Sequence, residues 1–478
     1  MAESQRCGTS AHTGTPSPVH DFVEVHTDEM VEQLSDWVRI ASVAGVPERA
    51  PNIIRSANWL ASAFRDFGFP TVHVWSTGDT SAVYAEWCGA PGAPTVLVYS
   101  HHDVRAVKES LWDQTPPFEP ALRHGRLYGR GSSDAKGQVL AHLWGVRAHL
   151  AARGLRAPAV NLKFLIEGEE EMGSPHFAEA LERYGDLLGC DLVVYSDTMQ
   201  WKTDHPAICT SVRGMLSAHI EVYGPLRDVH SGAVSGVAPN PVFELSRLLA
   251  RLHDERGAIA VPGFYDAVAS PSPARRAELA ALPFDEADWL DRSETRSIGG
   301  EDGYSVFERL WARPAVEVTS IIAGDPVGAS RAAVPSMAAA DLSFRLVPNQ
   351  QVHTIADTLR AWVAAEISPR VQYALTLSEE TAQEPYVTPK IPAVEALERA
   401  IRKGCCTATV GRMGNAGGGP AALLASSLGA PLVFYGTGLV EDHWHDSDES
   451  IRIDVLQYTA ATLAFYWSEL ADPGSAAP

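Results

Sequence analysis

Short apolar runs along the chain stop abruptly in polar clusters. Residues 96–99 read VLVY and end in Ser100, His101, His102 and Asp103. Residues 160–166 are mostly apolar and end in EGEEEMGS. Residues 191–195 end in Ser196 and Asp197, and 432–435 in GTGLVEDHWHDSDES. Such runs predict strands buried on both faces of a mostly parallel sheet. Helical patterns surround them. Val31, Leu34, Trp37 and Val38 form one amphipathic face, Ile54, Ala57, Leu60, Ala61 and Phe64 another, and Val139, Leu140, Leu143, Trp144 and Val146 a third. Further strands fit 71–75 and 82–87. Pro and Gly in the loop before Lys136 predict no regular element there.

From about residue 212 the pattern changes. Leu216, Ala218, Ile220 and Val222 alternate with Ser217, His219, Glu221 and Tyr223, and Leu342, Phe344 and Leu346 repeat the alternation. That is a half-buried antiparallel sheet. Helices fit 241–256 and 350–367, and strands fit 315–322 and 371–377, giving β-α-β-β-α-β in outline. Residues 263–313 form a partly helical excursion. The expected fold is therefore α/β: a mixed, mostly parallel-sheet domain over 21–211 and 390–472, with an inserted ferredoxin-like α+β lid or dimerisation domain over 212–389. Residues 1–20 and 473–478 read as disordered.

Composition narrows the function. The chain has 478 residues, 45% hydrophobic and 20% charged, with a mean hydropathy of −0.08. Its formal net charge of −21 argues against nucleic acid or an anionic membrane as partner. No apolar run approaches a membrane span, and the polar N-terminus lacks the apolar segment of a signal peptide. Six cysteines with no CxxC pair read as reduced thiols of a cytoplasmic protein.

In open α/β sheets, ligands bind beyond the carboxyl ends of the strands. His101 and Asp103 project to the same side there, as a metal ligand and its orienting group would. An isolated His-x-Asp is usually structural, and a Glu triplet is usually a solvated run. Four strand ends carrying His101/Asp103, Glu169–Glu171, Asp197 and His443/His445, with Asp134 from the Gly-rich loop, reverse that reading. Two His and three or more carboxylates can hold two divalent ions with one carboxylate shared. A further carboxylate then serves as general base and acid. Glu169 reads as solvent-facing or supporting, His102 and His443 as neighbours, Lys136 as serving the loop, and Cys405 and Cys406 as inert.

Over about residues 25–465 the chain resembles the M20 family of co-catalytic metallopeptidases, especially its cytosolic non-specific dipeptidase and carnosinase branch. VYSHHDV resembles the family's Y-G-H-x-D-V box, LYGRGSSDAKG its G-R-G-x-x-D-D-K-G loop, and EGEEEMGS its E-G-x-E-E-x-G-S segment. VVYSDT carries its S-D, and DHWHDSDE resembles its H-x-x-N-E. The resemblance implies that His101 binds one metal and His445 the other, with Asp134 bridging and Glu171 and Asp197 completing the sites. It implies Glu170 as the base acting on a metal-bridging water, and Asp103 as the group fixing His101. GPLRDVHSG matches a lid segment whose His enters the partner subunit's active site, so His230 would stabilise the oxyanion in trans. Arg345 would hold the substrate's terminal carboxylate, with Asn240 a further candidate for that pocket.

The resemblance thus implies a homodimeric two-metal hydrolase of dipeptides or related short amides. Zn²⁺ is the expected metal, with Mn²⁺ or Co²⁺ also suited. The alternatives are an N-acyl-amino-acid deacylase or desuccinylase with the same site, or a non-catalytic member. Ala135, Ala332 and the Gly-rich turn 417–419 depart from the branch's pattern and bear on which substrate fits.

Overall fold

The structure is a computed structural model that describes residues 17–78, 80–324, 328 and 331–472. The apolar run at 96–99 lies inside the strand Thr95–His101, within a nine-stranded sheet. Asn161–Glu167 and Leu192–Tyr195 flank it, both parallel to it, and Leu432–Phe434 runs parallel to Leu192–Tyr195. Four neighbouring strands therefore end at one sheet edge. They are buried on both sides, which is why their sequences show apolar runs and little alternation. The outer strands Thr71–Thr77 and Thr80–Trp87 add on antiparallel. On the far side, Ala207–Val212 carries Gly411–Asn415 and Tyr386–Val387.

Helices cover both faces. Thr27–Val38, Ala50–Asp66, Lys136–Arg153, Pro392–Gly404 and Ile453–Ala471 close one core around Trp37, Phe64, Trp144, Phe164 and Trp467. Helix Pro392–Gly404 shows why: Val394, Leu397, Ala400 and Ile401 fall on one face and are buried. Burying each large apolar side chain contributes about 1.5–3 kcal/mol. The second core holds Tyr99, Phe177, Tyr195 and Leu424.

The alternating segments form a separate four-stranded antiparallel sheet, ordered Ala315–Ala323, Met337–Leu346, Gly214–Tyr223, Gln372–Leu377. Helices Pro241–Leu249 and Val352–Glu366 contribute Leu245, Leu248, Leu359 and Trp362 to the core on one face, beside Leu216, Ile220 and Phe344 of the sheet.

Three local readings are corrected. The excursion at 263–313 is partly helical as expected, with helices Pro273–Ala280, Glu286–Arg292 and Val306–Trp311, but these pack elsewhere than on the insert. Its Leu279, Leu282, Phe307 and Trp311 join the second core of the central sheet rather than the core of the insert. The loop before Lys136 contains a hairpin, Ala121–Arg123 with Arg126–Tyr128, whose second strand also pairs with Ser450–Arg452. Its three-residue strands are too short to show a period, and the turn is carried by His124 and Gly125, both at positive φ. Residues 17–20 are ordered: a helix starts at Pro18, and the His20 ring donates from Nε2 to the Gly404 carbonyl at 3.1 Å. Residues 1–16 and 473–478 lie outside the described residues. Among the described residues no helix is long and apolar enough to cross a membrane.

Candidate metal centre

The edge where the four parallel strands end is lined with acids and imidazoles. His101 is the last residue of Thr95–His101 and is fully buried. Its Nε2 lies 3.1 Å from Asp134 Oδ1 and 3.8 Å from Asp197 Oδ1. Asp134 comes from the Gly-rich loop, and its Oδ2 is 3.0 Å from His445 Nε2. That same nitrogen is 3.3 Å from Glu171 Oε2. Two groups able to hold a metal ion result, His101–Asp134–Asp197 and Asp134–Glu171–His445, and Asp134 belongs to both.

The loops behind these residues are held from below. Asp103 accepts the backbone N–H of Glu170 at 3.2 Å and of Glu171 at 3.0 Å. It also fixes His101, whose Nδ1 is 3.1 Å from the Asp103 carbonyl and 3.4 Å from its Oδ1. With Nδ1 so engaged, Nε2 faces the carboxylates. Gly168 lets the turn after Asn161–Glu167 pass close to its neighbour, because a Cβ there would sit 2.6 Å from the Ser81 carbonyl oxygen. Glu169 is buried, not solvent-facing: it accepts from the His176 backbone at 2.8 Å and pairs with its ring at 2.9 Å. His102 is also a structural residue, donating from Nε2 to the Ser81 carbonyl at 2.7 Å, and burial pushes its pKa down to about 4. His443 belongs to neither group; its ring lies 4.0 Å from Glu294. Lys136 serves the loop: its buried Nζ donates to the Trp37 and Ile40 carbonyls, and burial pushes it down to about 7.

The electrostatics call for cations. Burial, and then the Asp134 charge, raise the Glu171 carboxyl well above the usual range. Burial, and then Asp197, do the same for Glu170. Glu171 Oε2 is buried without a hydrogen bond, although Arg105 Nε stands 3.1 Å away. Acids crowded in this way, with an oxygen that lacks a hydrogen bond facing the His445 imidazole, are chemically a hard-to-borderline divalent site.

A cavity of about 530 Å³ opens over this cluster. Glu170, Asp134, Glu171, Asp197 and His445 line it, as do Arg345 and the turn residues Gly417 and Gly418. His230 and Asn240 are not part of its wall. His230 sits exposed on the two-residue strand Val229–His230, paired with Ala333 next to Ala332. Asn240 caps helix Pro241–Leu249 by accepting the Val242 N–H at 2.9 Å.

Other residues shape the site beyond the candidates named from the sequence. Glu449 is fully buried and accepts the backbone N–H groups of Gly131, Ser133 and Asp134, at 2.8, 2.9 and 2.9 Å, and the Arg130 guanidinium at 2.7 Å. It cradles the loop that presents Asp134. The signal was in the sequence, as the acid closing DHWHDSDE. Arg105 and Arg213 also line the cavity, and the excursion adds Trp289, Arg292, Leu310 and Trp311; no local pattern marks these.

The model of peptidase family M20/M25/M40 matches residues 97–469. The Beta-Ala-His dipeptidase of Homo sapiens is 30% identical over 363 residues, covering 71% of this chain and 71% of that protein. The Cys-Gly metallodipeptidase dug1 of Schizosaccharomyces pombe is 27% identical over 356 residues, 70% of this chain and 73% of that one. The crystal structure of human carnosine dipeptidase 1 superposes with a TM-score of 0.83 at 27% identity, covering 95% of this chain and 98% of that chain.

Proposed function

The chain belongs to peptidase family M20/M25/M40, and on that premise we propose that it is a metal-dependent dipeptidase. The observation that carries this is Asp134 shared between two ligand groups with Glu170 on the same cavity wall. His101, Asp134 and Asp197 would hold one divalent ion, and Asp134, Glu171 and His445 the other. Mixed imidazole and carboxylate donors suit Zn²⁺, with Mn²⁺ or Co²⁺ as alternatives. Bound there, such ions lower the pKa of water and polarise an amide carbonyl.

The chain's own residues do the rest. Glu170 takes the proton of the attacking water onto its carboxylate and passes it to the leaving amine nitrogen. Asp103 positions Glu170 through the backbone N–H it accepts. Arg345 holds the substrate's terminal carboxylate with its planar fork. His230 of the partner subunit donates to the oxyanion, which makes the active form a homodimer built through the insert; the exposed place of His230, away from its own chain's cavity, supports this reading. Asn240 supports the insert as a helix cap. The names of the relatives favour dipeptides over N-acyl amino acids. Cys88, Cys190, Cys209 and Cys405 are free thiols, which fits a reducing, cytoplasmic setting.

The test is hydrolysis of a dipeptide panel by protein loaded with Zn²⁺ or Mn²⁺. Glu170→Gln is expected to lower kcat by about 10²–10⁴-fold. Equal rates for the two proteins would overturn the reading.

A further inference from the structure

The cavity holds a second guanidinium that the proposed reaction leaves unused. Arg213 follows strand Ala207–Val212, and its side chain reaches the cavity wall that Arg345 also forms. The two are neighbours through the insert's sheet: Met215, two residues on, stands opposite Arg345 in the antiparallel register. Arg213 is 8% exposed. Its Nε donates to the Ala416 carbonyl at 3.1 Å, and Nη1 has a long contact to the Arg313 carbonyl at 3.5 Å. A guanidinium has five N–H donors, so several remain. Among the described residues no carboxylate lies within ion-pair distance of Arg213, and Ala416 offers it only a backbone oxygen. Arg345 likewise has no acidic partner among the described residues. Burial, with the Arg345 charge next, pushes Arg213 down to about 9, so it is cationic at neutral pH.

Two neighbouring cations in a cavity wall, one buried and one half-buried, repel each other and cost desolvation unless an anion joins them. The cavity's carboxylates, Asp134, Glu170, Glu171 and Asp197, belong to the candidate metal cluster, and Glu317 acts on Arg213 less strongly than the Arg345 charge does. Near the two guanidiniums the wall also holds the turn at Gly417 and Gly418 and Gln383, whose Oε1 is buried and unpaired. A Cβ at Gly418 would lie 2.1 Å from that Gln383 oxygen, so the turn packs directly against Gln383.

We propose that Arg213 and Arg345 form a dicarboxylate clamp, which selects dipeptides whose C-terminal residue is acidic. Arg345 takes the main-chain carboxylate and Arg213 the side-chain carboxylate of a C-terminal Glu or Asp. The proposal rests on the dipeptidase reading for its orientation, and its tests separate the two.

Two measurements decide it, both on the full-length metal-loaded protein. The first is kcat/KM for Ala-Glu against Ala-Gln, which differ only in the side-chain charge. Wild type is expected to prefer Ala-Glu by about ten-fold or more, as a charge-assisted pair outweighs a neutral one. Arg213→Gln is expected to bring the ratio close to one, and Arg213→Lys to keep part of it. The second is calorimetric binding of free L-glutamate against L-glutamine, which needs no turnover. Glutamate is expected to bind about ten-fold or more tightly, with the preference lost in Arg213→Gln. Equal binding of the two amino acids, or an Ala-Glu rate no higher than that on Ala-Gln, overturns the clamp. Preferential glutamate binding without hydrolysis of any dipeptide upholds the clamp and overturns the dipeptidase reading. Should Arg213→Gln fail to fold, the wild-type ratios and Arg213→Lys still decide the outcome.

Discussion

Glu449 accepts the backbone N–H of Asp134 at 2.9 Å, so the acid shared by both ligand groups is set in place by another buried acid. The same carboxylate neutralises Arg130. Glu449→Ala would leave Arg130 buried without its partner and three N–H groups unpaired. The expected loss of stability is about 3–5 kcal/mol, read by denaturant unfolding. Glu449→Gln keeps the shape but weakens the acceptor; metal affinity should fall about 10–100-fold in a chelator competition.

Asp103 ties His101 to the turn carrying Glu170 and Glu171. Asp103→Asn retains one acceptor and turns the other into a donor facing an N–H. Both metal affinity and kcat are expected to drop together, each about 10–100-fold. A fall in kcat alone, at full metal occupancy, would assign Asp103 to the chemistry itself.

How much of this was legible follows from period and length. The parallel strands declared themselves because burial on both faces leaves apolar runs, and the insert because burial on one face leaves alternation. The members of the two candidate groups were legible because each follows a strand of the sheet or sits in a Gly-rich loop. The places of Trp311 and Arg213 in the cavity wall were not. Trp311 reaches the central sheet's core from a segment embedded in the insert's sequence, and Arg213 matters through a neighbour more than a hundred residues away. Such contacts depend on tertiary placement, which no local spacing encodes.

The excursion makes its own prediction. Trp311 stacks on Phe307 with ring centroids 4.9 Å apart and also lines the cavity. Trp311→Ala should cost about 3–5 kcal/mol of stability. In the folded fraction it should raise KM for dipeptides more than it lowers kcat.

Acid should unfold the protein partly through His142. Its ring is fully buried near Phe164 and Trp467, and neither ring nitrogen has a partner. Burial lowers its pKa from 6.5 to about 3. The native state therefore binds fewer protons than the unfolded chain between those values. Stability from the neutral ring is whole above pH 6.5 and is lost as pH falls toward 3, at up to about 1.4 kcal/mol per pH unit. In metal-free protein, His142→Phe should flatten the acid limb of the stability curve by about one proton. An unchanged limb would assign acid sensitivity to other groups.

A site shared between subunits, with His230 reaching across, is tested by mixing. His230→Ala and Glu170→Gln should each be nearly inactive alone. Mixed in equal amounts and allowed to exchange subunits, they should regain about one-quarter of wild-type activity, because half the dimers then contain one complete site. No recovery, with exchange demonstrated, would place His230 outside the shared site.

The proposed function requires a pair of ions held through Asp134, with Glu170 as proton carrier and not a ligand. Metal content per chain, measured by elemental analysis beside dipeptide hydrolysis for wild type, Asp134→Ala and Glu170→Gln, tests it most directly. Two ions per chain are expected in wild type and in Glu170→Gln, with hydrolysis lost in the latter, and loss of both ions together in Asp134→Ala. A single ion in wild type, or an Asp134→Ala protein that keeps one ion at full affinity and still hydrolyses dipeptides, would contradict it.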